Sequence, residues 1–272
     1  MIMDWSQIIL LFSLGFGVGF LGTLIGAGGG FVLVPVLLLL YPDMSPEAIT
    51  SISLGVVFLN ATSGSIAYAR MKRIDVKSAI NFGLATLPGA IAGAFLISYI
   101  PRNIFDSILG CLLILISLFL LINPHYKTET QVRKRGWTHR SIVDNNNERY
   151  DYAFNQRTGI ILSFFVGFIS SLLGIGGGII HVPALTMLLN FPVHIATATS
   201  HSILAVMALA GTLVHIFQGN LNHNWGMMLF IGFGVVLGAQ LGAYVSHHVK
   251  QKVIIVSLAV ALLLVGVRIA FF

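Results

Sequence analysis

Hydrophobic and polar positions in this chain are sorted into long blocks, not into the short periods of a soluble helix or strand. Apolar blocks run Ile8–Ile25, Gly28–Leu40, Ile49–Ala69, Ser78–Tyr99 and Asn103–Ile122. A polar stretch, Asn123–Thr158, interrupts them. Apolar blocks then resume at Gly159–Leu173, Gly176–Leu189, Ile195–Phe217, Trp225–Ser246 and Val253–Ala270. Most of these approach the ~20 residues that a bilayer-spanning helix needs. Ile104–Ile122 holds one acidic residue, Asp106, near its start, and Val253–Val267 holds no charge. The pattern predicts an all-α integral membrane protein in three parts. Residues 1–123 form an N-terminal transmembrane repeat, 124–158 a polar basic linker, and 159–272 a C-terminal transmembrane repeat.

Composition agrees. Hydrophobic residues make up 56% of the 272 and charged residues only 9%, against about 25% charged in a soluble domain. Mean hydropathy is +0.91, so lipid is the main solvent. The net charge of +6 does not point to nucleic acid, because the basic residues sit between apolar blocks, where orienting charges belong. Cys111 is the only cysteine, which excludes an intramolecular disulfide and a thiolate metal cluster. No Cys–His spacing suggests a metal, no ATP-binding motif occurs, and no cofactor is expected. Met1–Gln7 contains Asp4 and no basic residue, so the first helix is expected to act as its own insertion signal.

The second five blocks echo the first five. Leu24-Ile25-Gly26-Ala27-Gly28-Gly29-Gly30 is matched by Leu172-Leu173-Gly174-Ile175-Gly176-Gly177-Gly178. Val34-Pro35 is matched by Val182-Pro183, and Leu37 by Leu185, at the same spacing. Gly89 and Gly93 are matched by Gly238 and Gly242. An odd number of segments per copy turns the second copy over in the membrane, and loop charge tests this. Arg70, Lys72, Arg73 and Lys77 follow the third block; the matching loop of the second half, Gly219–Asn224, has no Lys or Arg. Lys250 and Lys252 follow the fourth block of the second half, where the first half offers only Arg102. The linker adds Lys127, Arg133, Lys134, Arg135, Arg140, Arg149 and Arg157. Inverted repeats put all these basic clusters on one side, expected to be the cytoplasm, with both termini outside. A parallel duplication would put the Lys250/Lys252 loop opposite the linker. The linker itself reads as a flexible connector, or as a regulatory or lipid-contacting segment.

The second block of each half is too short to span. Gly28–Leu40 gives about 20 Å of helix against a hydrocarbon core about 30 Å thick. Short Gly/Pro-interrupted segments at matching places in inverted halves point to a transporter's binding site. The spacing predicts half-helices that begin at Gly28, Gly29 and Gly30 and at Gly176, Gly177 and Gly178. Gly26, Gly174, Pro35 and Pro183 are expected to shape the breaks. Close helix packing is the competing explanation for glycine, and it suits the Gly89/Gly93 and Gly238/Gly242 pairs better.

No carboxylate and no basic residue lies in the middle of a predicted span, which disfavours a cation site. A half-helix N-terminus can hold an anion without any cationic side chain. Thr50, Ser51, Ser53 and Asn60 in the first half, and Thr199, Ser200 and His201 in the second, are candidates to complete the site, with Thr62 and Thr197 beside them. Each Ser or Thr could instead bond its own helix backbone. His181 and His201 are candidates for proton coupling, or are satisfied core histidines.

The doubled glycine motifs, each followed by Val-Pro, and the steps Thr50-Ser51 and Thr199-Ser200 resemble the TauE/SafE family of sulfite exporter-like permeases. The resemblance covers nearly the whole chain apart from the linker. It implies movement of sulfite, small organosulfonates or related sulfur oxyanions along a path lined by the glycine motifs and Thr-Ser steps. The expected function is therefore a secondary transporter working outward, in the plasma (inner) membrane. Uptake of another oxyanion uses the same architecture. A membrane-embedded enzyme is the other class, but the clustered carboxylates, nucleophile–base pair or arginine clamp it needs are absent from the spans. Expected partners are a small anion, membrane lipid and a second copy of the chain as a homodimer.

Overall fold

The computed structural model describes residues 4–122, 136–222, 224–246 and 251–271. Lys127, Arg133, Lys134, Arg135 and Lys250 lie outside the described residues, as does the side chain of Lys252. Among the described residues ten α-helices follow the ten apolar blocks. In the first half they are α1 (Trp5–Ile25), α2 (Gly30–Leu40), α3 (Pro46–Arg70), α4 (Val76–Leu96) and α5 (Arg102–Ile122). In the second they are α6 (Gln156–Leu173), α7 (Gly178–Met187), α8 (Val193–Phe217), α9 (Trp225–Val245) and α10 (Gln251–Phe271). Among the described residues, seven helices are long and apolar enough to cross a membrane, while α2 and α7 are shorter.

The ends of these helices are written in the sequence. Asp4 caps α1 by accepting from the Trp5 N–H, and Asn155 caps α6 by accepting from Arg157 and Thr158. Pro46 occupies the first position of α3, where its missing N–H costs nothing. Gly26 and Gly174 end α1 and α6 in the left-handed conformation, φ 83° and 67°, which L side chains resist.

The most buried spans, α3 and α8, form the centre. They run antiparallel: Gly64 faces His201 while Gly211 faces Leu54. The outer pair α5 and α10 is antiparallel too, with Gly110 against Ala270 and the Ser117 hydroxyl donating to the Ala259 carbonyl. The remaining long spans pair across the halves in parallel. Gly234, Gly238 and Gly242 of α9 lie on the carbonyls of Phe12, Phe16 and Phe20 of α1; Gly89 and Gly93 of α4 lie on those of Phe164 and Phe168 of α6. These glycines let the backbones touch, as the spacing of small residues suggests.

The linker departs from a flexible connector over residues 138–154. There β1 (Thr138–Val143) pairs antiparallel with β2 (Arg149–Phe154), the one non-helical element among the described residues. Its turn is the polar Asp144–Asn147 stretch, in which Asp144 Oδ1 accepts from the N–H groups of Asn146 and Glu148 and Asn147 sits at φ 61°. The hairpin docks on both halves. Asp144 accepts from Arg73 in a buried ion pair at 3.1 Å, and Arg140 reaches Asp75, the N-cap of α4. On the other side Tyr152 and Phe154 pack on Phe191, at 4.6 and 4.9 Å between ring centroids, in the loop between α7 and α8. A sequence reading sees only polarity here; the alternation that marks a strand is confined to two six-residue runs and was hidden by their charges.

Burial pushes the Asp144 carboxyl up, but the Glu148 N–H, the Arg73 guanidinium and the Asn146 N–H together outweigh it and hold it below the ordinary 3.8. A depressed native value stabilises docking above the ordinary carboxylate range, and that contribution is lost as pH falls through the depressed value. Protection factors of the hairpin amides against hydrogen exchange should therefore be flat through neutral pH and fall only in strong acid. Asp144→Asn should lower them by at least about tenfold at neutral pH. For the helix crossings, Gly238→Leu should lower the unfolding temperature in detergent by at least about 5 °C. Gly17→Leu, which projects into open space, should leave it unchanged.

Candidate functional site

The two glycine runs meet in the middle of the bundle. Each follows a helix that ends within the protein and precedes a half-helix. Gly30 packs on the Gly174 carbonyl and Ile175; reciprocally, Gly178 packs on the Gly26 carbonyl and Ala27. Val57 of α3 and Leu204 of α8 close over Gly28, and Val57 over Gly176. The backbone conformation needs glycine at Gly28, Gly29 and Gly176, with φ 80°, 82° and 65°. Gly177 is different: its φ of −50° is helical, and what forbids a side chain there is Ser170 Oγ, 2.6 Å from where Cβ would sit.

Two hydroxyls clamp this crossing. Ser53 of α3 donates to the Gly174 carbonyl at 2.6 Å, and Ser200 of α8 donates to the Gly26 carbonyl at 3.3 Å. Thr50 and Thr197 lie against Gly174 and Gly26 in the same reciprocal way. Thus one carbonyl at each break, that of Gly26 or Gly174, is occupied across the halves. The opposite holds for the half-helices. The N–H groups of Gly29, Gly30 and Phe31, and those of Gly177, Gly178 and Ile179, have no backbone acceptor among the described residues.

The halves differ in the polar groups beside those open N–H groups. In the first, the Gly29 nitrogen and Asn60 Nδ2 lie 2.5 and 2.9 Å from the point where a Gly22 Cβ would sit. Asn60 Nδ2 is buried and has no partner. Its Oδ1 accepts from Thr23 at 2.8 Å, and the Thr23 hydroxyl is 3.2 Å from His201 Nε2. With the Thr23 proton given to Asn60, its oxygen accepts from His201 Nε2–H. Tyr68 steadies the group by donating to the Thr23 carbonyl at 2.8 Å. In the second half the Ser170 and Ser171 hydroxyls are buried without partners.

Of the residues singled out from sequence, the structure brings the glycine runs, Ser53, Asn60, Ser200 and His201 together. Thr50 and Ser51 bond the carbonyls of Glu47 and Ala48 in their own helix. Thr199 accepts from the Asp75 N–H at the linker face. His181 sits apart from His201, against Ser163 of α6 at 3.1 Å. Pro35 and Pro183 lie inside α2 and α7. Thr23, Tyr68, Ser170 and Ser171 were not picked out from sequence. Thr23, Ser170 and Ser171 share one legible signal: a hydroxyl in the last turn before a glycine run.

This arrangement offers open donors and no carboxylate, and groups of three or more metal-binding side chains are absent among the described residues. The model of the family described as sulfite exporter TauE/SafE matches residues 11–269. The chain belongs to the TauE/SafE family. It is 32% identical to a probable membrane transporter protein, YunE, of Bacillus subtilis over 97% of both chains. It is 27% identical to a probable membrane transporter protein of Methanocaldococcus jannaschii, covering 89% of this chain and 88% of that one. It is 26% identical to YfcA of Escherichia coli K12, again a probable membrane transporter protein, over 90% and 82%. No solved structure matches. As a TauE/SafE protein the chain is a multi-pass membrane transporter and not an enzyme.

A buried neutral hydrogen bond contributes about 1 kcal/mol. Ser53→Ala and Ser200→Ala should each lower unfolding free energy by about that much in detergent, and the pair by about 2 kcal/mol. Unchanged stability in either single variant would mean the hydroxyls do not hold the crossing.

Proposed function

We propose that this TauE/SafE protein is a secondary transporter of a small sulfur oxyanion, sulfite or an organosulfonate, working by alternating access. The observation that carries the reading is the pair of open half-helix N-termini at the glycine crossing, with Asn60 Nδ2 beside the first. N-terminal N–H groups carry partial positive charge and bind anions. Donor groups held in place at the bundle centre would solvate the anion's oxygens without a lysine or arginine.

The reading includes an inverted duplication. Its support is that equivalent helices α3 and α8, and α5 and α10, run antiparallel, while contacts at the crossing recur with the halves exchanged. Rocking of one half against the other would expose the crossing to each face in turn. The linker face, which carries Arg70, Lys72, Arg73, Lys77 and Arg140, would be cytoplasmic, in a plasma or inner membrane. Export of an anion is then favoured by an inside-negative potential, by about 2.3 kcal/mol per charge per 100 mV. Of the two histidines considered for proton coupling, His201 is the one bonded to the Thr23–Asn60 pair, and so the one whose protonation would be felt there.

Flux of labelled sulfite and a small organosulfonate into proteoliposomes tests the reading. Wild type should show saturable flux. Gly29→Leu/Gly177→Leu should abolish it, and Asn60→Ala, which keeps the backbone of the crossing, should lower it by at least about tenfold. Flux indifferent to Asn60→Ala in a folded protein would remove the half-helix site from the path.

A further inference from the structure

Resting on that reading, we infer that the crossing is matched to a single negative charge: the transported species is a monoanion, and Ser170 recognises a protonated oxygen on it. The charge available is limited. Each half-helix N-terminus supplies roughly half an elementary charge, so two together supply roughly one. The negative ends of α1 and α6 lie close by, and although their terminal carbonyls are occupied by Ser200 and Ser53, they can only reduce that total. Among the described residues no buried cationic side chain at the crossing adds to it. Among the described residues the buried charged groups are Arg73, Asp75 and Asp144, all at the linker face and joined to the hairpin. A dianion at the crossing would leave about one charge uncompensated in a low-dielectric interior.

The two sides of the crossing also differ in hydrogen-bond polarity. The first presents donors: the N–H groups of Gly29, Gly30 and Phe31 and Asn60 Nδ2, whose carbonyl partner atom is engaged by Thr23. The second presents the N–H groups of Gly177, Gly178 and Ile179 together with Ser170 Oγ, fully buried, unpartnered and against Gly177. A hydroxyl both donates and accepts. Ser170, the unpartnered hydroxyl packed against Gly177, is therefore suited to accept from an S–O–H, while the N–H groups hold the ionised oxygens. A hydrogen oxyanion uses both sides; a permanent monoanion such as a sulfonate satisfies the charge but leaves the Ser170 lone pairs unused.

The titratable side chains facing the first side are His201 of α8, on the Thr23 hydroxyl, and Tyr68 of α3, on the Thr23 carbonyl. On the second side His181 of α7 faces Ser163 of α6. Their own titration would affect every substrate alike, which separates it from titration of the substrate.

The test measures initial flux in proteoliposomes of the full chain for three probes: methanesulfonate, sulfite and sulfate, across a pH series above the second dissociation of sulfite. Methanesulfonate flux should be flat with pH. Sulfite flux should fall about tenfold per pH unit, following the hydrogensulfite fraction. Sulfate should be at least about a hundredfold slower than methanesulfonate. Ser170→Ala should cost hydrogensulfite about tenfold and methanesulfonate about threefold or less. Sulfate flux within a few-fold of methanesulfonate, or sulfite flux flat with pH, would overturn the single-charge match while leaving anion transport standing. A pH slope shared by methanesulfonate would assign the effect to the protein's histidines and overturn the inference likewise. No flux of any probe would overturn the transport reading itself, and this inference with it.

Discussion

Everything in this fold depends on two backbones touching where two glycine runs cross. Gly30 rests on the Gly174 carbonyl and Gly178 on the Gly26 carbonyl, so neither position tolerates a Cβ. Irregular backbone at membrane depth survives only when protein satisfies its polar groups or a cavity is lined by it. Here protein partners are supplied on one side of each break and withheld on the other. The carbonyls ending α1 and α6 are taken by Ser200 and Ser53. The N–H groups beginning α2 and α7 are left open. The same constraint that forces glycine at the crossing thus creates its binding capacity, because only a bare backbone can come this close and still present unspent donors.

The crossing is linked to the linker face through α8. Ser200 holds the Gly26 carbonyl, and its neighbour Thr199 accepts from the Asp75 N–H. Asp75 in turn accepts from Ser78, Tyr152 and Arg140. Burial first, and then the Asp75 carboxylate, push the Tyr152 hydroxyl far above its ordinary range, so it remains a donor to Asp75 at physiological pH. The hairpin therefore ties the α3–α4 turn of one half to the α7–α8 loop of the other. Any rocking of the halves has to carry these contacts along or release them.

The ten helices were legible because each is a block of apolar residues bounded by an obvious signal: Asp4, Pro46, Asp75 or Asn155 at a start, Gly26 or Gly174 at an end. The half-helices were legible because α2 and α7 are too short for a bilayer and sit at the same place in both halves. What the sequence concealed is which hydroxyls are open. Thr50, Ser51, Ser53, Thr199 and Ser200 look alike in sequence, yet two bond their own helix, two clamp a carbonyl across the halves, and one is spent on Asp75. Helix rotation decides this, and a helix apolar on every face gives no period from which to read its rotation. The hairpin was concealed for a different reason: its inward residues Arg140 and Tyr152 pair with Asp75, so the buried face of β1 and β2 is itself partly polar.

The central claim is that the open N–H groups of the two half-helices hold the anion. It is tested most directly by titrating methanesulfonate into the protein carrying 15N-labelled glycine and following the amide resonances. Gly29, Gly30, Gly177 and Gly178 should shift together and saturate at one concentration, with Gly17 on the outer face of α1 unmoved. Saturable flux of the same anion with those four amides unperturbed would contradict the account.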